Sequence, residues 1–383
     1  MKVSVLAFDL SDNATGRADL LARLLAPHYA VEVVGPRFGA DIWPPARGSA
    51  IPYRTLPGAR YPAFAGRLRA LARLADGDVL IASKPRPTSY GVALLARRQR
   101  RRPLVLDIDD WELGFFYRSR VWGRVGRALN VGNPNGLPWT WAMERLVGRA
   151  DARLVASRFL ERRFGGTLVP HVRDTDAWDP ARVDGRATRA SLGVGDARVV
   201  MFLGTPRGHK GVDDLVEAMD GAPSARLVII GAEPEHPRAR LWAARPGVIV
   251  RGPVPFDDVP RYLAAADVVA VPQRATSDTL GQVPAKLFDA MAMARPIVST
   301  SVSMIPEVLD GCGLLVPPGD PRAMRAVLER LLADPDRARE LGRRARARCI
   351  ERYSFAAARA VLLPLIERLA GGARAAAPRE GVT

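Results

Sequence analysis

Residues Val268–Thr300 read VVAVPQRATSDTLGQVPAKLFDAMAMARPIVST, in the order strand, polar loop, helix, strand. Val268–Val271 is a short apolar run. After Pro284 the apolar residues Leu287, Phe288, Met291 and Ala292 recur at helical spacing. Gln282-Val283-Pro284 therefore stands where a helix opens, and the free amides and positive dipole end of such a place attract phosphate. Lys286 adds a mobile cation just inside. The stretch reads as the phosphate end of a nucleotide site.

Working outward, 383 residues at 48% hydrophobic are enough for two domains, each with its own core. Cys312 and Cys349 are the only cysteines, without CxxC or Cys/His metal spacing, so a disulfide framework and a structural zinc are both disfavoured. The expected setting is the reducing cytoplasm. The opening MKVSVLAFDL is too short and too soon broken by Asp9 to be a signal h-region or a membrane span.

The net charge of +17 is uneven. Residues 1–172 carry 27 Lys and Arg against 14 Asp and Glu, and residues 173–383 carry 30 against 26. A basic front half suits a polyanionic surface, whether nucleic acid, anionic lipid or an acidic substrate. It equally suits arginines spread over solvated helix faces. Between 115 and 147, Phe115, Phe116, Tyr117, Arg118, Arg120, Trp122, Arg124, Arg127, Trp139 and Trp141 interleave rings with cations. That pattern fits a membrane interface or stacked single-stranded bases.

In chain order, strand Val3–Phe8, a small-residue loop ending at Gly16, a helix from Arg17 and strand Val31–Val34 form a βαβ unit. The loop is not GxGxxG, so dinucleotide binding is not supported. Segment 35–62 reads as irregular. A basic amphipathic helix over Phe64–Leu74, strand Asp78–Ala82 and a helix over Ser89–Arg100 follow. Strand Leu104–Leu106 runs into Asp107-Ile108-Asp109-Asp110-Trp111-Glu112, which places carboxylates at the carboxyl end of a parallel strand. Carboxylates there orient sugar hydroxyls, hold a metal, accept a proton or merely cap the next helix.

The second half repeats the scheme: strand Val199–Leu203, loop GTPRGHKG (Gly204–Gly211) and helix Val212–Met219. Arg207 and Lys210 in that loop suit a diphosphate. Strands Leu227–Ile230 and Val248–Val250 and helix Val259–Ala265 lead back to the opening stretch.

The series FLGTPRGHKGVDDLVEA, LVIIGAEPE, VIVRGPVPFDDVPRYLAAADVVAVPQ, GQVPAKLFDAMAMARPIVST and IPEVLDGCGLLVPPGD resembles the nucleotide-binding domain of the family-four retaining glycosyltransferases, glycosyl transferases group 1. The resemblance covers roughly Ala150–Arg352 and is looser in the first domain. It implies a GT-B fold: two doubly wound, Rossmann-like α/β domains facing a cleft. The expected division is an acceptor-side domain 1–172, a nucleotide-sugar domain 173–352, and a segment 353–383 whose helix returns toward the first domain before a tail.

The resemblance also implies roles. Lys210 matches the lysine that holds the donor diphosphate, and Asp289 stands at the acidic position that binds the ribose hydroxyls. The turn Gly281, Gln282, Val283, Pro284 offers amides to diphosphate and sugar. Gly16 is the candidate for the glycine approaching the same phosphates, Asp109 or Asp110 lies near the loop touching the transferred sugar, and Arg251 to Val254 follows the base-binding loop. Two positions depart from the pattern. Thr205 stands where the family has arginine, so either Arg207 substitutes from a shifted position or the phosphate is stabilised less, and Gly281 replaces a glutamate that reads sugar hydroxyls, as in a divergent subset with PxKLx followed by Glu or Asp.

The expected chemistry is transfer of a sugar from a nucleotide diphosphate sugar to a hydroxyl of a lipid-linked, glycan or other cell-envelope acceptor, with Asp109, Asp110, Lys210 and Arg207 acting at the reaction. No metal or other cofactor is required by this reading. The protein is expected in the cytoplasm, peripheral at the inner face of an anionic membrane, and not on nucleic acid. The alternatives are a nucleic-acid-binding protein using the basic half and a nucleotide-sugar epimerase of the same fold.

Overall fold

The computed structural model describes residues 1–117, 130–221, 225–277 and 279–375. The chain forms two compact units, Met1–Pro170 with Ala358–Thr383, and His171–Ala357.

Among the described residues, the first unit holds a seven-stranded sheet. Its strands are β1 (Lys2–Leu6), β2 (Ala30–Arg37), β3 (Tyr53–Pro57), β4 (Val79–Ser83), β5 (Leu104–Ile108), β6 (Ala152–Val155) and β7 (Thr167–Leu168). They lie in the order β3-β2-β1-β4-β5-β6-β7, every pair parallel. β4 and β5 are buried along their whole length, which is why they read as continuous apolar runs rather than alternating ones. The crossover helix Thr15–Leu25 buries Leu21, Leu24 and Leu25 completely.

Segment 35–62 is not irregular throughout. β2 continues to Arg37, and β3 adds an edge strand. β3 hides from a search for apolar runs because none of its residues is fully buried, and its proline is tolerated because an edge strand needs fewer ladder donors. The helix expected over Ser89–Arg100 begins instead with a wide turn at Pro87–Gly91 and then runs over Val92–Gln99.

The second unit holds, among the described residues, β8 (Arg198–Leu203), β9 (Ala225–Ile230), β10 (Val248–Arg251), β11 (Val268–Val271), β12 (Ile297–Thr300) and β13 (Leu314–Val316). The order is β10-β9-β8-β11-β12-β13, again all parallel. Helices Val212–Met219, Val259–Ala265 and Ala285–Ala292 stand where their periodicity puts them. Phe202 and Phe288 are among the largest fully buried side chains, and Phe288 meets Tyr353 edge-on at 4.9 Å. Cys312 and Cys349 are free and buried.

Each sheet reverses its strand order once, between β1 and β4 and between β8 and β11. The crevice outside the carboxyl ends at such a switch point is where open α/β sheets bind ligands. No described helix is long and apolar enough to cross a membrane.

Candidate functional site

In the second unit, β8 is followed by Gly204 at positive φ, 122°. A Cβ there would stand 3.0 Å from Lys286 Nζ, so the glycine both makes the turn and leaves room for that side chain. The chain then passes Thr205-Pro206-Arg207 into a single 3-10 turn, Gly208–Lys210. At Gly211, φ 64°, a Cβ would fall 1.8 Å from the Pro272 carbonyl oxygen. No other residue fits there, and helix Val212–Met219 starts at once.

This backbone sets the cations. Lys210 is half-buried and donates from Nζ to the Thr205 carbonyl at 2.8 Å. Burial, together with the charge of Arg207, pushes its ammonium down to about 8. Arg207 itself is exposed and, with Thr205, Glu233, His236, Trp242 and Pro253, lines a cavity of about 290 Å³.

Lys286, on the first turn of helix Ala285–Ala292, has a half-buried stem, but its Nζ is buried and has no hydrogen-bond partner among the described residues. It lies 4.0 Å from the centre of the Phe202 ring. Burial, reinforced by Lys210 and opposed by Asp289, drives its pKa well below the ordinary lysine value. A ring face returns about 0.5–2 kcal/mol to an ammonium, against several kcal/mol for taking the ion out of water. Desolvation therefore wins at Lys286.

Asp289 is buried, and one of its carboxylate oxygens accepts from Arg173 Nε. The expected ribose ligand is thus already half engaged; Arg173, just after β7, was not legible as its partner. The turn Gly281–Pro284 is equally bound into its own loop. Gln282 N donates to the Thr279 carbonyl at 3.2 Å, so that amide, expected to be open to phosphate, is taken. Thr279 Oγ1 in turn donates to the Arg274 carbonyl at 2.9 Å, and Arg274 Nε to Asp214 Oδ2 at 2.7 Å. Gly281 and Val283 are buried, while Gln282 and Pro284 are half-buried. Arg251 is exposed, with its carbonyl accepting from Gly231 N at 3.0 Å, and Val254 is half-buried beyond it. Thr205, Arg207, Lys210 and Lys286 therefore converge at the end of β8, whereas Arg251 and Val254 stand at the end of β10.

In the first unit the carboxylate run is spoken for. Asp107 is fully buried and receives Arg17 Nε at 3.1 Å and Nη2 at 2.7 Å, and Arg17 also donates to the carbonyls of Val169 and Pro170. Asp107 and Asp109 thus do not form a metal pair. Asp109, Asp110 and Glu112 are the acidic group whose oxygens come together among the described residues. The ammonium of Lys84 lies among them, at 2.7 Å from Asp109, 2.9 Å from Asp110 and 3.0 Å from Glu112. Lys84 follows β4 in a left-handed conformation, φ 73°, a strained state for a side-chain-bearing residue that local packing must hold. Arg86 closes the cluster, donating from Nε to Glu112 Oε2 at 2.9 Å and from Nη1 to Thr140 Oγ1 at 2.7 Å.

The electrostatics follow from that packing. Burial works against the Lys84 ammonium, but three carboxylates overcome it and raise its pKa well above 10.5. Burial would raise Glu112, yet Arg86 and Lys84 pull it down to about 2. Asp110 is raised: burial leads, Lys84 opposes, and Asp109 and Glu112 add repulsion. Lys84, Arg86 and Arg17 were missed because nothing in the sequence ties a KPRP loop to a DIDDWE loop. Gly16 lies inside the first turn of helix Thr15–Leu25, and a Cβ on it would meet the Trp43 ring at 3.2 Å. Packing against Trp43 accounts for that glycine. Of the aromatic and basic stretch, Arg118, Arg120, Trp122, Arg124 and Arg127 lie outside the described residues.

The pattern of the family described as Glycosyl transferases group 1 matches residues 197–334. A GDP-mannose-dependent alpha-(1-6)-phosphatidylinositol monomannoside mannosyltransferase from Mycolicibacterium smegmatis is 30% identical over 306 residues, 73% of this chain and 74% of that one. The chain belongs to the group 1 glycosyltransferases. An alpha-maltose-1-phosphate synthase of the same organism is 38% identical over 204 residues, 48% of this chain; the match spans about half the length of that relative, 51%. Among solved structures, HepE of Anabaena in complex with UDP-glucose superposes with a TM-score of 0.73 at 18% identity, over 96% of this chain and 100% of that one. The fold of this group 1 member is GT-B, with the two doubly wound sheets described above.

Proposed function

We propose that this group 1 member is a retaining, metal-independent glycosyltransferase, moving a sugar from a nucleotide diphosphate sugar to a hydroxyl of a lipid-linked or glycan acceptor at the inner face of a membrane. The observation that carries the donor part is the convergence at the end of β8, on the switch point between β8 and β11, of Lys210 and Lys286, whose Nζ has no partner among the described residues. Departure of the diphosphate builds negative charge, and cationic groups held at that place in the donor complex stabilise it as it develops. Arg207, in the lining of the neighbouring cavity, adds a third charge. Relatives whose names specify GDP-mannose and neighbours holding UDP-glucose support a sugar nucleotide as the donor class.

Freedom from metal is supported by Lys84, whose ammonium takes the central place among Asp109, Asp110 and Glu112 that a divalent ion would need. In this reading Asp110, the least enclosed of the three, faces the sugar or the acceptor hydroxyl. A screen of UDP-, GDP-, ADP- and dTDP-sugars by ligand-observed NMR, followed by the anomeric coupling of the product, tests the whole reading. Binding of none of them, or an inverted product anomer, would sink it. Activity is expected to survive EDTA unchanged.

Asp289→Asn keeps the shape that Arg173 holds while removing the charge. If the second carboxylate oxygen reads the ribose, sugar-nucleotide affinity is expected to fall about tenfold, the order of one charged hydrogen bond. Equal affinity in a calorimetric titration would show that the ribose contact lies elsewhere.

Membrane attachment is supported by the surface of the first unit. Trp141 is 50% exposed with the Arg145 guanidinium 4.6 Å from its ring, and Val131 is 58% exposed. Trp139 and Tyr61 stack at 4.6 Å, and helix Phe64–Leu74 exposes Arg67, Arg69 and Arg73. Ring and cation side by side suit the headgroup layer of an anionic bilayer. In flotation assays the protein is expected to rise with vesicles containing phosphatidylglycerol and to detach in high salt. Equal flotation with neutral vesicles would discard the charge argument.

A further inference from the structure

Lys286 is an amine placed where an ammonium is poorly supported. Its Nζ is buried beneath Gly204, with the Phe202 ring on one side and no acceptor atom within reach among the described residues. The charged groups facing it are Lys210, from the 3-10 turn after β8, and Asp289, one turn along its own helix. Lys210 repels a second positive charge. Among the described residues Asp289 is the nearby counter-charge, and Arg173 already holds it. Nothing in this arrangement favours a protonated Lys286 until an anion arrives, and the anion the site would take is a diphosphate.

We propose that donor binding and protonation are coupled here: the phosphate charge of the sugar nucleotide and a proton enter together, and the proton lodges on Lys286 Nζ. The inference rests on the donor-site reading above and adds to it a second cation, created by binding, in place of the arginine that Thr205 lacks. The proton comes from solvent; no bond other than the N–H is made. The half-buried stem of Lys286 gives the amine room to turn toward the phosphate. Two consequences follow from linkage. Affinity falls as pH rises above the pKa of the free amine, by up to about tenfold per pH unit for one proton. Burial of Nζ, with Lys210 nearby and Asp289 opposing, holds that pKa well below the lysine norm, so the fall begins in a range where ordinary lysines do not titrate.

Sugar nucleotides are suitable probes because their phosphates are diesters and carry no group titrating near neutrality. Isothermal titration of the full chain with UDP-, GDP-, ADP- and dTDP-glucose or mannose, at pH 7 in two phosphate-free buffers of different ionisation heat, PIPES and Tris, counts protons from the difference in heat. Lys210, titrating near 8, is already mostly charged at that pH. Wild type is expected to take up protons as the nucleotide binds. Lys286→Met is expected to bind more weakly with no uptake. Lys286→Arg, which keeps its charge at any working pH, is expected to bind without uptake and with an affinity level between pH 7 and pH 8. Binding by wild type with equal heats in the two buffers would overturn the inference and leave the donor site standing. The same uptake in Lys286→Arg as in wild type would also overturn it, by placing the proton elsewhere. Absence of binding by every probe would overturn the donor site, and the inference with it.

Discussion

Lys210→Met is expected to lower turnover about 10²–10³-fold, the loss typical when one preorganised donor to a developing oxyanion is removed. The methionine keeps the length and much of the volume of the lysine stem, so helix Val212–Met219 and the turn before it keep their packing. The hydrogen bond from Nζ to the Thr205 carbonyl is lost, but that carbonyl is on an exposed residue and water replaces the donor. A loss of rate without loss of fold is therefore the expected signature. Because leaving-group charge grows on the way to the transition state, kcat should fall more than KM rises. Protonation gives a second check. Lys210 acts as a cation and is pushed down to about 8 in the free protein, so the decline of kcat/KM with rising pH should steepen through that value, and the variant should lose this share while keeping any decline that Lys286 sets. Unchanged turnover at saturating donor would remove Lys210 from the chemistry.

In the second unit the strands and helices around the β8 and β11 loops were legible because each signal was local. The run Val268–Val271, the proline before Ala285 and the helical spacing of Leu287, Phe288 and Met291 lie within one short stretch. The lysine-glycine pair at Lys210-Gly211 is local too, and the 1.8 Å approach of Pro272 to a Cβ at Gly211 explains why glycine stands there. What escaped was tertiary. Arg173 reaches Asp289 across 116 positions, and Arg17 reaches Asp107 across 90. No periodicity encodes such pairings. The acidic run Asp107–Glu112 shows the same divide. Its place at the end of β5 was readable, but which charges are neutralised depends on where the loop after β4 delivers Lys84 and Arg86. β3 was missed for a different reason: a half-exposed edge strand has too few buried side chains to make a pattern.

The other large effect is expected at Lys84, and it is one of stability. Lys84 is 3% exposed and faces three carboxylates within 3.0 Å. Removing one partner from a buried ionic cluster costs about 3–5 kcal/mol, because the charges left behind stay desolvated. Lys84→Met should therefore lower the midpoint of urea unfolding markedly at pH 7. The pH dependence separates this cause from a mere packing fault. In wild type, Arg86 and Lys84 hold Glu112 at about 2 in the folded state, against an ordinary 4.5 for a free glutamate. Its contribution is full above the unfolded value and is lost as pH falls from there toward 2. Lys84, raised above 10.5, contributes fully below that value and loses its contribution as pH rises through the folded pKa. Asp110, raised above 3.8, opposes Glu112 in acid, since its favourable share is present below 3.8 and is lost as pH rises through the folded value. Without the ammonium, the opposition of Asp110 grows, and Glu112 keeps only Arg86 of the two cations that lower it. The deficit of Lys84→Met relative to wild type should therefore shrink as pH is lowered from 7 toward 4, where a carboxylate of the cluster takes up a proton and one buried negative charge disappears. A deficit that stays constant over that range would mean that Lys84 supports the loop by packing alone and that the carboxylates draw their compensation from Arg86.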